Sequence, residues 1–164
     1  MQTLDKTPTK PVLYIFSSTE GKDLAAEARD GLADIAKAKL WDDPDVRRLN
    51  EHFLDTLLRL ADQADVAVVI LTPDDVVRSR KQSMRSPRDY LIFEAGLFFG
   101  RLGLQRTFLV APDTPEFKLP TDIASIVIAK YPVPLTDTRA LTAVLPGLRN
   151  AIQNCGAIQR QDLD

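Results

Sequence analysis

The chain holds one cysteine, Cys155, and one histidine, His52, in 164 residues. A single cysteine excludes an intramolecular disulfide, and with it the stapled secreted scaffolds; a reducing, cytoplasmic setting fits best. With no His or Cys near the acidic pairs, no transition-metal site is expected. His52 reads as lying on the flank of a helix and Cys155 has no neighbouring base, so hydrolysis by a nucleophilic triad is disfavoured. Basic charge is not in excess either: 21 Lys and Arg stand against 23 Asp and Glu, a formal net charge of -2. That argues against a nucleic-acid partner, which usually selects a basic surface. No apolar run is long enough to span a bilayer, and the polar stretch before Pro11 lacks the apolar segment of a secretory signal. Among seven glycines none forms a GxGxxG fingerprint or a P-loop.

What is present is ordinary globular composition, 45% hydrophobic and 27% charged, on a length that suits one domain. Residues 1–10 read as a flexible leader, 11–155 as the domain, and 156–164 as a tail or the start of a linker. Short apolar runs mark strands at Val12–Phe16, 66–71 and 107–111, with shorter candidates at Lys39-Leu40-Trp41 and Ile126-Val127-Ile128. Helical spacing predicts a helix over 22–38, a second opening at Pro44 and carrying Val46, Leu49, Phe53, Leu57 and Leu60, and a third from Ser86 to about Leu102. A last helix carries Leu141, Val144, Leu148 and Ile152, and Pro146-Gly147 should kink or restart it. Strand and helix alternate throughout. That implies an α/β, flavodoxin-like, doubly wound five-stranded parallel sheet in three layers. In such sheets ligands bind beyond the carboxyl ends of the strands, at the switch point. The segments 17–21, 41–45 and 72–89 should meet there.

The third helix carries the sharpest chemical signal. Ser86, Pro87 and Asp89 have the makings of its start. From Tyr90 to Gly100 it is apolar on every side except at Glu94, which predicts a buried helix with one carboxylate inside it. Such a group finds a partner or shifts its pKa; it is either a satisfied structural acid or a catalytic one. Tyr90 lies one turn before it on the same face, where it either packs or grips a ligand. Gly96 and Gly100 read as a close approach to the sheet. Ser17-Ser18-Thr19-Glu20-Gly21 is a strand-to-helix turn with a capping hydroxyl, or a phosphate cradle. Thr72-Pro73-Asp74-Asp75 reads as the start of a helix in preference to a metal site at Asp74 and Asp75, and the basic stretch 78–85 as a solvated loop or a lid.

The segments 64–75 and 86–103 resemble the bacterial TIR-like family, often described as predicted nucleotide-binding proteins, found alone or fused to sensor modules in anti-phage defence. The likeness runs from about Val12 to Tyr131. It implies a TIR fold and, as in many relatives, cleavage of NAD+ to nicotinamide and ADP-ribose products. NAD+ is then the substrate and no cofactor is implied. The family's catalytic glutamate falls on Glu94. The implied substrate-binding residues are Ser17, Ser18, Thr19, Trp41, Asp42, Thr72, Arg88 and Tyr90. The loop after the second strand, from Trp41 to Asp45, is where TIR domains often join, which implies self-association and a fused or separate sensor module. Relatives often carry Asn where this chain has Tyr90, though some catalytic TIR domains carry an aromatic there. One carboxylate suffices for this reaction, because nicotinamide leaves as a neutral base and needs no general acid, unlike the alkoxide of ordinary glycosides. A nucleotide-binding module without catalysis and a pure TIR–TIR interaction module are the other two readings of the same residues.

Overall fold

The apolar run after Pro11 pairs on both of its edges and becomes β1 (Val12–Ser17) in the computed structural model, which describes residues 9–79, 82–134 and 139–160. Nearly all of the leader, Arg80 and Lys81 of the basic stretch, and the last four residues lie outside the described residues. After β1 come α1 (Lys22–Leu32), β2 (Lys37–Leu40), α2 (Phe53–Gln63), β3 (Val66–Ile70) and a hairpin of β4 (Asp75–Ser79) and β5 (Gln82–Ser86). Then follow α3 (Asp89–Leu102), β6 (Thr107–Pro112), the single turn α4 (Thr121–Ala124), β7 (Ala129–Tyr131) and α5 (Leu145–Cys155).

Five strands form one parallel sheet in the order β2-β1-β3-β6-β7. Its three inner strands, β1, β3 and β6, are apolar on both faces because both faces are covered, while the edge strands β2 and β7 carry lysines. Leu13 and Ile15 join one core layer with Leu24, Ala28 and Leu32 of α1 and Leu148 and Ile152 of α5. Tyr14 and Phe16 point the other way, into a layer with Leu57 and Leu60 of α2 and Leu91, Ala95 and Phe98 of α3. The chain leaves β1 toward β2 and returns to β3 on the other side of β1. The switch point therefore lies between the carboxyl ends of β1 and β3, as the doubly wound expectation requires.

Several boundaries differ from the periodicity reading, each for a local reason. The first helix stops at Leu32 rather than running through Ala38, and β2 begins at Lys37. The Gly31 and Ala33 carbonyls are taken by the side chains of Arg149 and Lys10, while Ala36 is buried from a turn. No long helix opens at Pro44. Val46 is buried from a loop and Leu49 is 96% exposed. Asn50, at φ 59°, turns the chain before α2 starts at Phe53. Thr72-Pro73 starts a hairpin and not a helix, because the Thr72 hydroxyl is spent on side chains rather than on a cap. The third helix starts at Asp89, past the final strand residue Ser86; Arg88 is its cap, and no side chain caps it. Ile126-Val127-Ile128 is not a strand: Val127 is 97% exposed, and pairing with β6 begins at Ala129. Pro146 lies in the first turn of α5, so the Pro-Gly pair opens that helix.

Candidate functional site

Two hydroxyls tie the carboxyl end of β1 to that of β3. Ser18 Oγ and Thr72 Oγ1 are 2.8 Å apart, and Thr72 donates to Asp74 Oδ2 at 2.7 Å. A threonine has one hydroxyl proton, so Ser18 is the donor toward Thr72. Ser18 Oγ in turn accepts from the Gly21 N–H at 3.2 Å. The chain of donors thus runs in one direction, from Gly21 through Ser18 and Thr72 to the Asp74 carboxylate. Gly21 allows this closeness: a Cβ there would stand 3.3 Å from Ser17 Cβ and from Thr72 Cγ2. Ser17, Ser18 and Thr72 are all buried, whereas Thr19 is exposed.

Arg88, at the foot of α3, brings in the third segment. Its guanidinium donates to Glu20 Oε1 at 2.9 Å and to Asp75 Oδ1 at 2.6 Å. The turn after β1, the start of the hairpin and the start of α3 are thereby held together. A backbone N–H at Glu20 itself, then the Arg88 guanidinium, keep the Glu20 carboxyl below its ordinary value. The same pairings raise Arg88, Glu20 first and Asp75 next.

Six residues further on stands Glu94. The face that α3 turns inward carries Leu91, Glu94, Ala95 and Phe98, at the spacing of a helix face against a sheet. Glu94 is 1% exposed, and neither of its carboxyl oxygens has a hydrogen-bond partner. Burial alone pushes its pKa up to about 8. No arginine neutralises it among the described residues. The helix is not apolar-buried on all sides, however: Phe93 is 55% exposed, and Gly96 and Gly100 face open space rather than the sheet. Tyr90 is 36% exposed. Partial burial, then the charges of Glu94 and Glu20, raise its phenol, while Arg88 opposes them. The phenol therefore stands where the fields of these groups converge.

A cleft of about 550 Å³ opens beside this cluster, bounded by Asp75, Val77, Pro87, Arg88, Asp89 and Tyr90. Glu94 does not line it, nor the adjoining apolar groove of about 350 Å³ between the hairpin and 118–120. Glu94 is thus sealed from both cavities rather than open to a pocket as expected, and of the expected site residues Arg88 and Tyr90 line the cleft. Trp41 and Asp42 do not line the cleft. Trp41 stacks edge-on against Phe53 under the Arg47 guanidinium, and Asp42 pairs with Lys22 at 3.0 Å. Asp74, Asp75 and Glu20 were not singled out as site members by sequence reasoning; acids directly after a β-strand's Thr-Pro and within the Ser-Ser-Thr turn were the available signal. His52 caps α2 and is exposed, and Cys155 donates to the Gln105 carbonyl, so both are remote from the site. No helix among the described residues is long and apolar enough to cross a membrane.

CD-NTase-associated protein 12 of Lachnospiraceae bacterium (strain RUG226) is 35% identical over 144 residues, 88% of this chain and 44% of that protein. Pycsar effector protein PaPycTIR of Pseudomonas aeruginosa is 33% identical over 135 residues, 82% of this chain and 44% of that protein. The chain thus spans less than half the length of these curated relatives. The solved flavodoxin-like domain of a Synechococcus sp protein aligns over 88% of this chain and 95% of its own, at 12% identity and a TM-score of 0.47; the strand order, not this likeness, identifies the fold. Residues 12–132 match the family described as CAP12/Pycsar effector protein, TIR domain, and the chain belongs to that family.

Proposed function

We propose that this domain is an NAD+ glycohydrolase that cleaves the nicotinamide–ribose bond, acting as an effector in a signalling system of the kind its relatives' names denote. The observation that carries the reading is the Glu94 carboxyl: buried, without a partner, and one turn from a cleft of the size that holds a small ligand. An acid that costs stability and bonds to nothing is accounted for by work on a ligand.

The chemistry asks for one group. As the ribose C1′–N bond breaks, its electron pair leaves with the pyridine nitrogen, and nicotinamide departs neutral. Positive charge builds on the ribose ring, and a carboxylate beside it in a dry site stabilises that charge strongly. Water then adds to C1′ and releases a proton, giving ADP-ribose. A carboxyl with a pKa of about 8 is mostly protonated at neutral pH and cannot do this. The closed arrangement is therefore a resting state. Opening of the site and arrival of the cationic nicotinamide ring both favour the ionised form. Tyr90 at the mouth suits stacking on the nicotinamide or adenine ring; buried Ser17, Ser18 and Thr72 shape the turn after β1, and its exposed Thr19 is left to meet the ribose. Trp41 and Asp42 begin the loop after β2, and their role here is in self-association rather than in substrate contact.

Nicotinamide release from NAD+, measured with the chain fused to an oligomeriser, tests the proposal. The wild-type fusion should turn over, and Glu94→Ala and Glu94→Gln fusions should not, with circular dichroism confirming that both variants fold. Undiminished cleavage by a folded Glu94→Ala protein refutes the role.

A further inference from the structure

Arg88 is the obvious cation for a dinucleotide's pyrophosphate, yet both arms of its guanidinium are already occupied. One donates to Glu20 at 2.9 Å and the other to Asp75 at 2.6 Å. All three side chains are between a third and a half exposed, Arg88 at 37%, Glu20 at 50% and Asp75 at 39%. The partners come from different segments: Glu20 from the turn between β1 and α1, Asp75 from the first residue of the hairpin. Asp75 and Arg88 both line the 550 Å³ cleft, so the ion pair lies on its wall. Tyr90, one turn before the sealed Glu94, senses Glu20 and Arg88 together.

We infer that Arg88 is an exchangeable latch: it trades Glu20 and Asp75 for the pyrophosphate of a dinucleotide, so that binding and opening of the Glu94 site are one event. This rests on the NAD+ reading for the identity of the ligand, though not for the exchange itself. The physics favours exchange over a permanent strut. Exposed ion pairs are individually weak, and two of them set against one pyrophosphate are close to balance. A guanidinium binds carboxylate and phosphate oxygens with the same fork of donors, so the exchange needs no new geometry at Arg88. Once released, Glu20 no longer anchors the turn that carries Ser18, and Asp75 no longer anchors the hairpin. The exchange thus unties the start of α3, six residues before Glu94, from the turn after β1 and from the hairpin. The latch also accounts for an otherwise awkward fact: among the described residues Arg88 is the arginine that lines the cleft, and it faces two carboxylates there rather than a ligand.

The test is a binding cycle on the intact chain, with ADP-ribose and inorganic pyrophosphate as probes, read by calorimetry. Glu20→Gln with Asp75→Asn removes both competitors and keeps the side-chain shapes. It should tighten the dissociation constant of each probe by roughly three- to tenfold, the range set by two exposed ion pairs. Arg88→Ala should weaken both. In the triple variant, the gain from the two amide substitutions should vanish, because there is no guanidinium left to release. A gain that persists without Arg88 means a general loss of negative charge and overturns the latch. So does unchanged affinity in the double variant. If pyrophosphate follows the expected pattern while no variant binds ADP-ribose, the dinucleotide reading fails and the anion exchange at Arg88 stands.

Discussion

Glu94→Gln should abolish a pH dependence of stability that this one carboxyl imposes on the whole domain. In the folded protein its pKa is about 8; in the unfolded chain it returns to about 4.5. Between those values the folded state holds a proton that the unfolded state releases. The group's folded pKa is raised, and it is an acid, so stability falls as pH rises from about 4.5 toward 8 and levels off above. An interval of about 3.5 units at 1.36 kcal/mol each amounts to about 5 kcal/mol. That is comparable with the entire stability of a marginal domain, about 5–15 kcal/mol. Water entering an opened site lowers the figure, so the measured slope reports how dry the closed site is. Glutamine is neutral at every pH and leaves a similar unpartnered polar group in the same place. The variant should match wild type near pH 5 and exceed it by several kcal/mol at pH 8. Urea unfolding of both proteins at pH 5, 6.5 and 8 reads the difference directly. A stability difference that stays constant within about 0.5 kcal/mol across that range shows the carboxyl to be hydrated or paired, and the resting-state argument fails with it.

Gly96→Ala and Gly100→Ala should each stabilise the protein by about 0.5–1 kcal/mol, because both glycines are interior to α3 and a methyl group there meets nothing within 4 Å; denaturant midpoints give the answer. Asp65→Ala should cost about 2–4 kcal/mol by the same assay, since this buried carboxylate accepts from the Val12 N–H at 2.8 Å, the Ile158 N–H at 3.0 Å and Arg160 at 2.6 Å. Thr72→Val removes the middle of the Gly21–Ser18–Thr72–Asp74 chain and should cost about 1–2 kcal/mol, with faster amide exchange at Gly21 as its local signature.

The architecture was legible in the residues because a parallel strand covered on both faces has to be apolar at every position. Val66–Ile70 is such a run, and it is the central strand. Alternation of these runs with helical spacing then leaves few topologies. Glu94 was legible for a related reason: a charge within an apolar helix stands out against its surroundings. The boundaries were not legible. Ala36 and Val46 carry helical spacing but are buried from a turn and a loop, and burial alone does not distinguish the two. The hairpin 75–86 reads as polar because its sheet has two strands and little to bury.

Local sequence alone therefore determined the layers, the sheet and the acid, since each depends on which groups must leave water. Whether that acid is paired or sealed depended on where its neighbours found partners, and those of Arg88 stand 13 and 68 positions away in the chain. Arg88 could have met Glu94; in the fold it meets Glu20 and Asp75 instead. Ion pairs and cavities arise from distances across the sheet, and only the folded chain sets those.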